Sequence, residues 1–353
     1  MDRIKKEDGL TLQTSHTQED IVWFDAGQHS AFRIFGACET REEYRRVPKA
    51  VADQLRPALQ DLAVNTSGIR ARFFTDSPYI ALHIHWDLPG TKNAPWRGMR
   101  GFDLFSVHGG KQALEKVFEP PVVYEPTMDY SYQTYGDYRE YLLNWPLLNT
   151  VTKVYIGLKA GSRLASGGGY HNEKPVVFYG SSITQGAHAC RPGNSYENFL
   201  SRMLNMDYVN LGMNGNCLAD PGLVDYIASL PMAAFVSDFD HNAKDADYLQ
   251  QRHYGMYEKI REKNPDLPYI MVTKPDYRPQ NWKRRCVVME SYRKALDTGD
   301  RNVYFIDGAS FFTGEERDAC TMDGTHPNDL GMYRIAQGMV HTLRRILYGG
   351  GMY

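Results

Sequence analysis

Cysteine is sparse in this chain and follows no pattern. Cys38, Cys190, Cys217, Cys286 and Cys320 are odd in number and include no Cys-x-x-Cys spacing. That argues against a disulfide framework or a structural zinc site and leaves reduced thiols as the expectation. An excess of charge of one sign is missing too. Forty basic residues stand against 42 acidic ones, a net charge of −2, so no field gathers nucleic acid and no basic run seats the chain on a membrane. Long apolar runs are also absent. No segment approaches the roughly 18 apolar residues needed to cross a bilayer, and residues 1–20 are polar with no apolar leader core. The expectation is a cytoplasmic protein that acts on small or neutral molecules, with no nucleic-acid or membrane partner; the oligomeric state is left open.

What is present is ample apolar material. With 353 residues, 42% hydrophobic and 12% aromatic, the chain exceeds the usual size of one hydrophobic core, and two domains are expected. Residues 1–19 read as a polar, loosely held arm, because they lack apolar periodicity. Residues 20–165 read as short antiparallel strands. The runs 69–74 and 79–86 alternate in polarity and are parted by Thr75-Asp76-Ser77-Pro78, and 101–107, 140–145 and 153–158 follow the same pattern. That spacing predicts an antiparallel β-sandwich, jelly-roll-like in type. Residues 166–174, with Gly167-Gly168-Gly169, read as a linker.

Beyond the linker, over 175–353, the period changes. Apolar runs at 175–179, 208–211, 233–237, 268–273 and 303–306 alternate with helical patterns at 195–205, 221–230, 245–263, 283–297 and 328–347. This alternation predicts an α/β domain, a parallel five-stranded sheet with helices on both faces. Asn264-Pro265 reads as a helix stop and Pro327 as a first helical residue. In such a sheet ligands bind beyond the carboxyl ends of the strands. Ser182 follows the first run, Asn210 to Asn216 the second, Asp238-Phe239-Asp240-His241-Asn242 the third, and Asp323 and His326 the fifth.

A serine on a turn after a strand becomes a nucleophile only when a base takes its proton and a third group orients the base. Gly180-Ser181-Ser182-Ile183-Thr184-Gln185-Gly186 supplies the serine, and Asp323-Gly324-Thr325-His326-Pro327-Asn328 the other two from one short loop. Asp238-x-Asp240-His241 has no second ligand group at metal spacing and reads as a polar strand end, so no metal is expected there. His83 and His85 share one face of a strand and read as surface or cross-strand partners rather than zinc ligands.

These blocks resemble the SGNH (GDSL-type) hydrolase family, named for a Ser, a Gly, an Asn and a His in four separate blocks, over residues 174–347. The resemblance implies a flavodoxin-like fold with no cofactor. It also implies Ser182 as nucleophile, His326 as base and Asp323 as its orienter, with the Ser182 N–H, the Gly215 N–H and the Asn242 amide as oxyanion donors. His241, Arg191 and Lys274 are candidates for substrate binding around it. Two blocks depart from the family pattern: Ser181 stands where Asp is usual, and Ala243 follows Asn242 where Asp is usual. Residues 32–158, with Tyr44-Arg45-Arg46-Val47-Pro48 and Asn65-Thr66-Ser67-Gly68, resemble the β-rich domain that precedes the catalytic domain in some bacterial SGNH carbohydrate esterases. The implied activity is removal of small acyl groups, acetyl foremost, from sugars or oligosaccharides. An acyltransferase with the same acyl-enzyme, and a degenerate carbohydrate-binding protein, are the other readings.

Overall fold

The structure, a computed structural model, describes residues 3–87, 94–172, 174–275 and 281–349. The chain divides into two compact units, and neither is contiguous. The first comprises 1–47, 64–169 and 190–193, the second 48–63, 170–189 and 194–353.

Among the described residues the first unit holds ten strands: β1 (Ile21–Asp25), β2 (Arg33–Phe35), β3 (Arg70–Thr75), β4 (Tyr79–Trp86), β5 (Phe102–His108), β6 (Lys111–Phe118), β7 (Thr127–Gln133), β8 (Arg139–Asn144), β9 (Val151–Lys159) and β10 (Leu164–Ser166). They form two antiparallel sheets, β1-β9-β4-β7 and β10-β3-β8-β5-β6, with β2 on β3. One core joins the inner faces: Val22, Phe24, Ile80, Leu82, Ile84, Ile156 and Leu158 from the first sheet, Ala71, Phe73, Leu104, Tyr141 and Leu143 from the second. The alternation expected from the sequence is therefore the inward and outward alternation of a sandwich. Each buried Leu, Ile or Phe contributes roughly 1.5–3 kcal/mol by leaving water.

Glu140, buried in this unit, is closely paired. Arg72 donates to both oxygens of Glu140 at 2.8 Å and to the Gly169 carbonyl, while Gly168 N–H also reaches Glu140. The glycine run expected as a linker is thus tied to a buried ion pair up to Gly169. The N-terminal arm, expected to be loose, is also tied down. Ile4 is buried in the core, its N–H donates to Ser162, and Ser15 N–H donates to Asp129. One well-placed apolar residue and a few backbone bonds hold a segment that has no periodicity of its own. His83 bonds Asp129 across the β4–β7 pair at 2.6 Å and meets His85 at 2.9 Å, in keeping with a cross-strand role.

The second unit holds β11 (Val176–Gly180), β12 (Tyr208–Gly212), β13 (Ala234–Asp238), β14 (Tyr269–Val272) and β15 (Val303–Ile306), all parallel, in the order β12-β11-β13-β14-β15. This is the flavodoxin-like order 2-1-3-4-5, whose switch point lies at the carboxyl ends of β11 and β13. Its helices include α1 (Lys49–Ala52) and α2 (Pro57–Ala63), which come from within the N-terminal half; α3 (Trp96–Arg100) belongs to the first unit. They continue with α4 (Ser182–Gln185), α5 (Tyr196–Leu204), α6 (Pro221–Ser229), α7 (Ala246–Lys263), α8 (Trp282–Asp297) and α9 (Asp329–Tyr348). Helix α9 begins later than Pro327 implied. Asn328 is the N-cap and its side chain accepts from Gly331 N–H, because an Asx side chain satisfies an orphan donor that proline leaves untouched. Among the described residues no helix is long and apolar enough to cross a membrane.

Candidate active site

The site assembles in the second unit, where β11 ends. Gly180 must lack a side chain, since a Cβ there would overlap the Thr184 side chain and come within 2.9 Å of Asp238. Close approach lets the chain turn at once from β11 into α4 with Ser182 as its first residue. Ser181 is the N-cap: its hydroxyl accepts from Ile183 N–H at 3.2 Å. Ser181 therefore satisfies a donor of the turn without the charge of the usual Asp, at a value of about 1 kcal/mol for such a cap.

Ser182 Oγ lies 2.9 Å from His326 Nε2, and His326 Nδ1 lies 2.8 Å from Asp323 Oδ2. The carboxylate fixes the proton on Nδ1 and leaves Nε2 as the basic nitrogen facing the hydroxyl. The other oxygen, Asp323 Oδ1, accepts from the N–H groups of Thr325 and His326 at 2.9 and 2.7 Å. Burial pushes the Asp323 carboxyl up, but these hydrogen bonds outweigh it and hold the pKa down at about 2. The carboxylate stays ionised wherever the base works.

The loops after β12 and β13 are tied to the Ser182 turn and to each other. Gly215, with φ of +67° in the left-handed region and open space where a side chain would stand, sits in the loop after β12, and this conformation costs glycine little. Asn214 N–H donates to Gln185 Oε1 at 3.0 Å and Met213 N–H to the Gly180 carbonyl at 2.8 Å. Both anchor that loop to the Ser182 turn. Asn242 Oδ1 accepts from Cys217 N–H at 3.2 Å, which leaves the Nδ2 end as a donor. Arg284 of α8 pins the Asn242 loop by donating to the carbonyls of Asp240 and Ala243. Arg56, which precedes α2, donates to Asp220, to Asn216 Oδ1 at 2.6 Å and to the Asn216 carbonyl at 2.8 Å, next to Gly215.

The structure separates the remaining candidates. His241 has its ring 6.5 Å from that of His326, whereas it is His326 that bonds Ser182. Lys274 donates its backbone N–H to Asp240 Oδ2 at 3.0 Å. Arg191 belongs to the first unit, where it pairs with the fully buried Asp103 at 3.0 Å, alongside Gly193 N–H and Asn144. Burial pushes the Asp103 carboxyl up, and Arg191 is foremost among the groups that oppose this. Its geometry is that of a structural counter-ion.

Sequence reasoning missed four contributors: Gln185, Arg56, Arg284 and His188. None carries a local signal, because each acts through a contact distant in sequence. It also missed the buried array behind the elbow, where Thr184 Oγ1 donates to Asp238 at 2.9 Å and accepts from Tyr196 OH at 3.1 Å. Burial raises the Asp238 carboxyl to about 8. His188, Asp323 and His326 bring possible metal-ligand atoms within 4.8 Å of one another. The two rings lie nearly parallel, at 25°, so their lone pairs do not converge on one point, and both His326 nitrogens are already engaged. A tetrahedral metal site needs convergent donors.

Residues 173–344 match the GDSL-like Lipase/Acylhydrolase family, and residues 21–164 match the N-terminus of Esterase_SGNH_hydro-type. No curated protein matches the chain. Among solved structures, a protein of Bacteroides ovatus ATCC 8483 described as a GDSL-like lipase superposes with a TM-score of 0.83 at 26% identity, covering 93% of this chain and 98% of that one. The salicylyl-acyltransferase SsfX3 from a tetracycline biosynthetic pathway gives 0.76 at 20% identity, covering 94% and 98%. A family two carbohydrate esterase from Clostridium thermocellum, in complex with cellohexaose, gives 0.59 at 14% identity, covering 80% and 94%. The last two share the fold. The chain belongs to the GDSL-like lipase/acylhydrolase family: it is a carboxylic ester hydrolase of the SGNH type, its catalytic domain preceded by the β-rich domain of such esterases.

Proposed function

We propose that this protein is a serine esterase that removes small acyl groups, acetyl foremost, from carbohydrate or similar esters. The observation that carries the reading is the unbroken chain from Ser182 Oγ through His326 to Asp323, at 2.9 and 2.8 Å. Ser182 Oγ attacks the acyl carbonyl carbon and its proton passes to His326 Nε2. The carbonyl oxygen becomes an oxyanion, toward which the N–H groups of Ser182 and Gly215 and the Asn242 amide donate. Collapse of this intermediate breaks the bond to the alcohol oxygen, which takes the proton from His326, and the acyl group stays on Ser182. Water then repeats the sequence and releases the acid. No step calls for a cofactor. Asp323 holds the imidazole in one tautomer and stabilises the imidazolium without taking its proton.

The carbohydrate part of the reading rests on the resemblance of the β-rich half and on the fold shared with a carbohydrate esterase. A second reading, acyl transfer, is favoured by the fold shared with an acyltransferase over 94% of this chain. Both use the same acyl-enzyme and differ in whether water or an alcohol takes the acyl group.

The test is hydrolysis of a small chromogenic acetyl ester by the wild type and by Ser182→Ala, with matched folding checks. The expected loss is about 10³-fold or more, as removal of a nucleophile demands. Equal activity in both would mean another nucleophile. A wild type that a fluorophosphonate does not label at Ser182 would favour the degenerate binding protein, and turnover that rises only with added alcohol or sugar would favour the transferase.

A further inference from the structure

The mechanism above leaves one histidine unused. His188 lies on the turn that follows α4, six residues beyond Ser182. Its φ of +72° is in the left-handed region, which histidine occupies more readily than most non-glycine residues but still at a cost. Its imidazole is stacked on that of His326, with ring centres 4.7 Å apart and planes at 25°. Its Nδ1 is buried and has no hydrogen-bond partner among the described residues. The ring face, rather than that nitrogen, makes the contact.

The hydrogen bonds of His326 lie in the plane of its own ring: Nδ1 to Asp323 and Nε2 to Ser182. Two in-plane bonds at Nδ1 and Nε2 do not resist a tilt of the ring plane, and a tilt that lifts Nε2 out of line weakens its bond to Ser182 Oγ. A flat partner against one face removes that freedom. The same face suits the charge that appears during turnover. When His326 holds the Ser182 proton it is a cation, and an imidazolium over a neutral aromatic face is attracted by the ring quadrupole. Burial first, and then the neighbouring His326, hold the His188 ring below its ordinary pKa, so the face presented is that of a neutral ring.

We propose that His188 is a positioning residue of the hydrolase, whose ring face fixes the orientation of His326 and stabilises its imidazolium in the transition state. This rests on the reading of Ser182, His326 and Asp323 as the catalytic chain. The inference concerns kcat rather than substrate affinity, because the contact strengthens only when the proton has moved. An aromatic pair of this kind corresponds to a rate effect of roughly 2- to 12-fold.

The experiment measures kcat and KM for a chromogenic acetyl ester in wild type, His188→Asn, His188→Phe and Ser182→Ala, with the thermal midpoint of each. Asparagine tolerates the left-handed backbone and removes the ring; phenylalanine keeps a face and removes both nitrogens. The expected result is a kcat for His188→Asn lower by roughly 2- to 12-fold with KM little changed, and recovery of most of that loss in His188→Phe. His188→Asn at the wild-type kcat, a loss carried by KM alone, or an equal fall in both variants at unchanged thermal midpoint would each overturn the proposal. Should His188→Phe be destabilised, His188→Tyr takes its place under the same criteria. Full activity in Ser182→Ala would instead overturn the catalytic chain beneath it, so the two failures are told apart.

Discussion

Two buried acids of the β-rich unit and two of the α/β unit are held in opposite ways, although Asp240 of the α/β unit also lies 3.8 Å from Arg284. In the β-rich unit each buried acid named above has a cation: Glu140 has Arg72, and Asp103 has Arg191. In the α/β unit Asp238 and Glu197 are buried and, among the described residues, no Arg or Lys forms an ion pair with either; burial raises both acids, Asp238 to about 8. His253, also fully buried, is lowered to about 4 by the same cause. A paired charge is fixed, and losing its partner leaves a charge stranded in low dielectric. An unpaired acid instead keeps its proton, because burial disfavours the charged form. Glu140 and Asp103 of the β-rich unit are thus held as ions, whereas Asp238, behind the Ser182 turn, is held as a neutral acid that accepts from Thr184 Oγ1.

The contrast breaks most severely at the ion pairs. Arg72→Ala strands Glu140 and is expected to cost about 3–5 kcal/mol of stability, read as a fall in the urea midpoint. Replacing both partners with apolar residues of similar volume is expected to recover most of it, because no charge is then left buried. In the other unit the largest expected effect is on rate. Asn242→Ala, which removes an oxyanion donor of the proposed mechanism, should lower kcat by about 10²–10³-fold, with a smaller fall in the thermal midpoint because the buried Cys217 N–H loses its acceptor.

Asp238 sharpens the contrast through pH. Its folded pKa of about 8 lies above the unfolded value of about 3.9, so the folded protein holds a proton that the unfolded chain releases. Stability from this group is fully present below about pH 4 and is lost as pH rises through about 8. Thermal midpoints measured from pH 5 to 9 should therefore decline, and Asp238→Asn should flatten the decline. An unchanged slope in the variant would place the effect on another group. The smallest expected effect is that of Ser181→Ala, about 1 kcal/mol for the lost cap; a much larger loss of kcat would mean that the hydroxyl also acts on Ser182.

How much of this was legible beforehand depended on whether a contact was local. The five parallel strands and the helices 196–204, 221–229, 246–263, 282–297 and 329–348 fall within a residue or two of their expected positions, because each couples a periodic apolar pattern to local stops. Strands β1, β2, β6, β7 and β10 went unread. β1, β2 and β10 are short, three to five residues, and β6 and β7 each hold a single buried residue, so burial imprints no alternation on them. The Ser182, Asp323 and His326 constellation was legible because its chemistry restricts residue type at each position. Arg56, Gln185 and Arg284 were not, since an arginine or glutamine that props a loop looks in sequence like any solvated one. Arg191 illustrates the converse: a loop arginine near the nucleophile in sequence is committed to Asp103.

The interleaving of the units bears on how such a protein is inherited and divided. The chain passes from one unit to the other at 47/48, 63/64, 169/170, 189/190 and 193/194. A single cut in the gene near codon 170 would therefore deliver a hydrolase half without α1, α2 and Arg56, the residue that clasps Asn216 and Asp220 beside Gly215. Recombination at one point cannot transmit either unit whole. The β-rich half is a partner that the hydrolase cannot exchange as a cassette, and the two are expected to pass between lineages together.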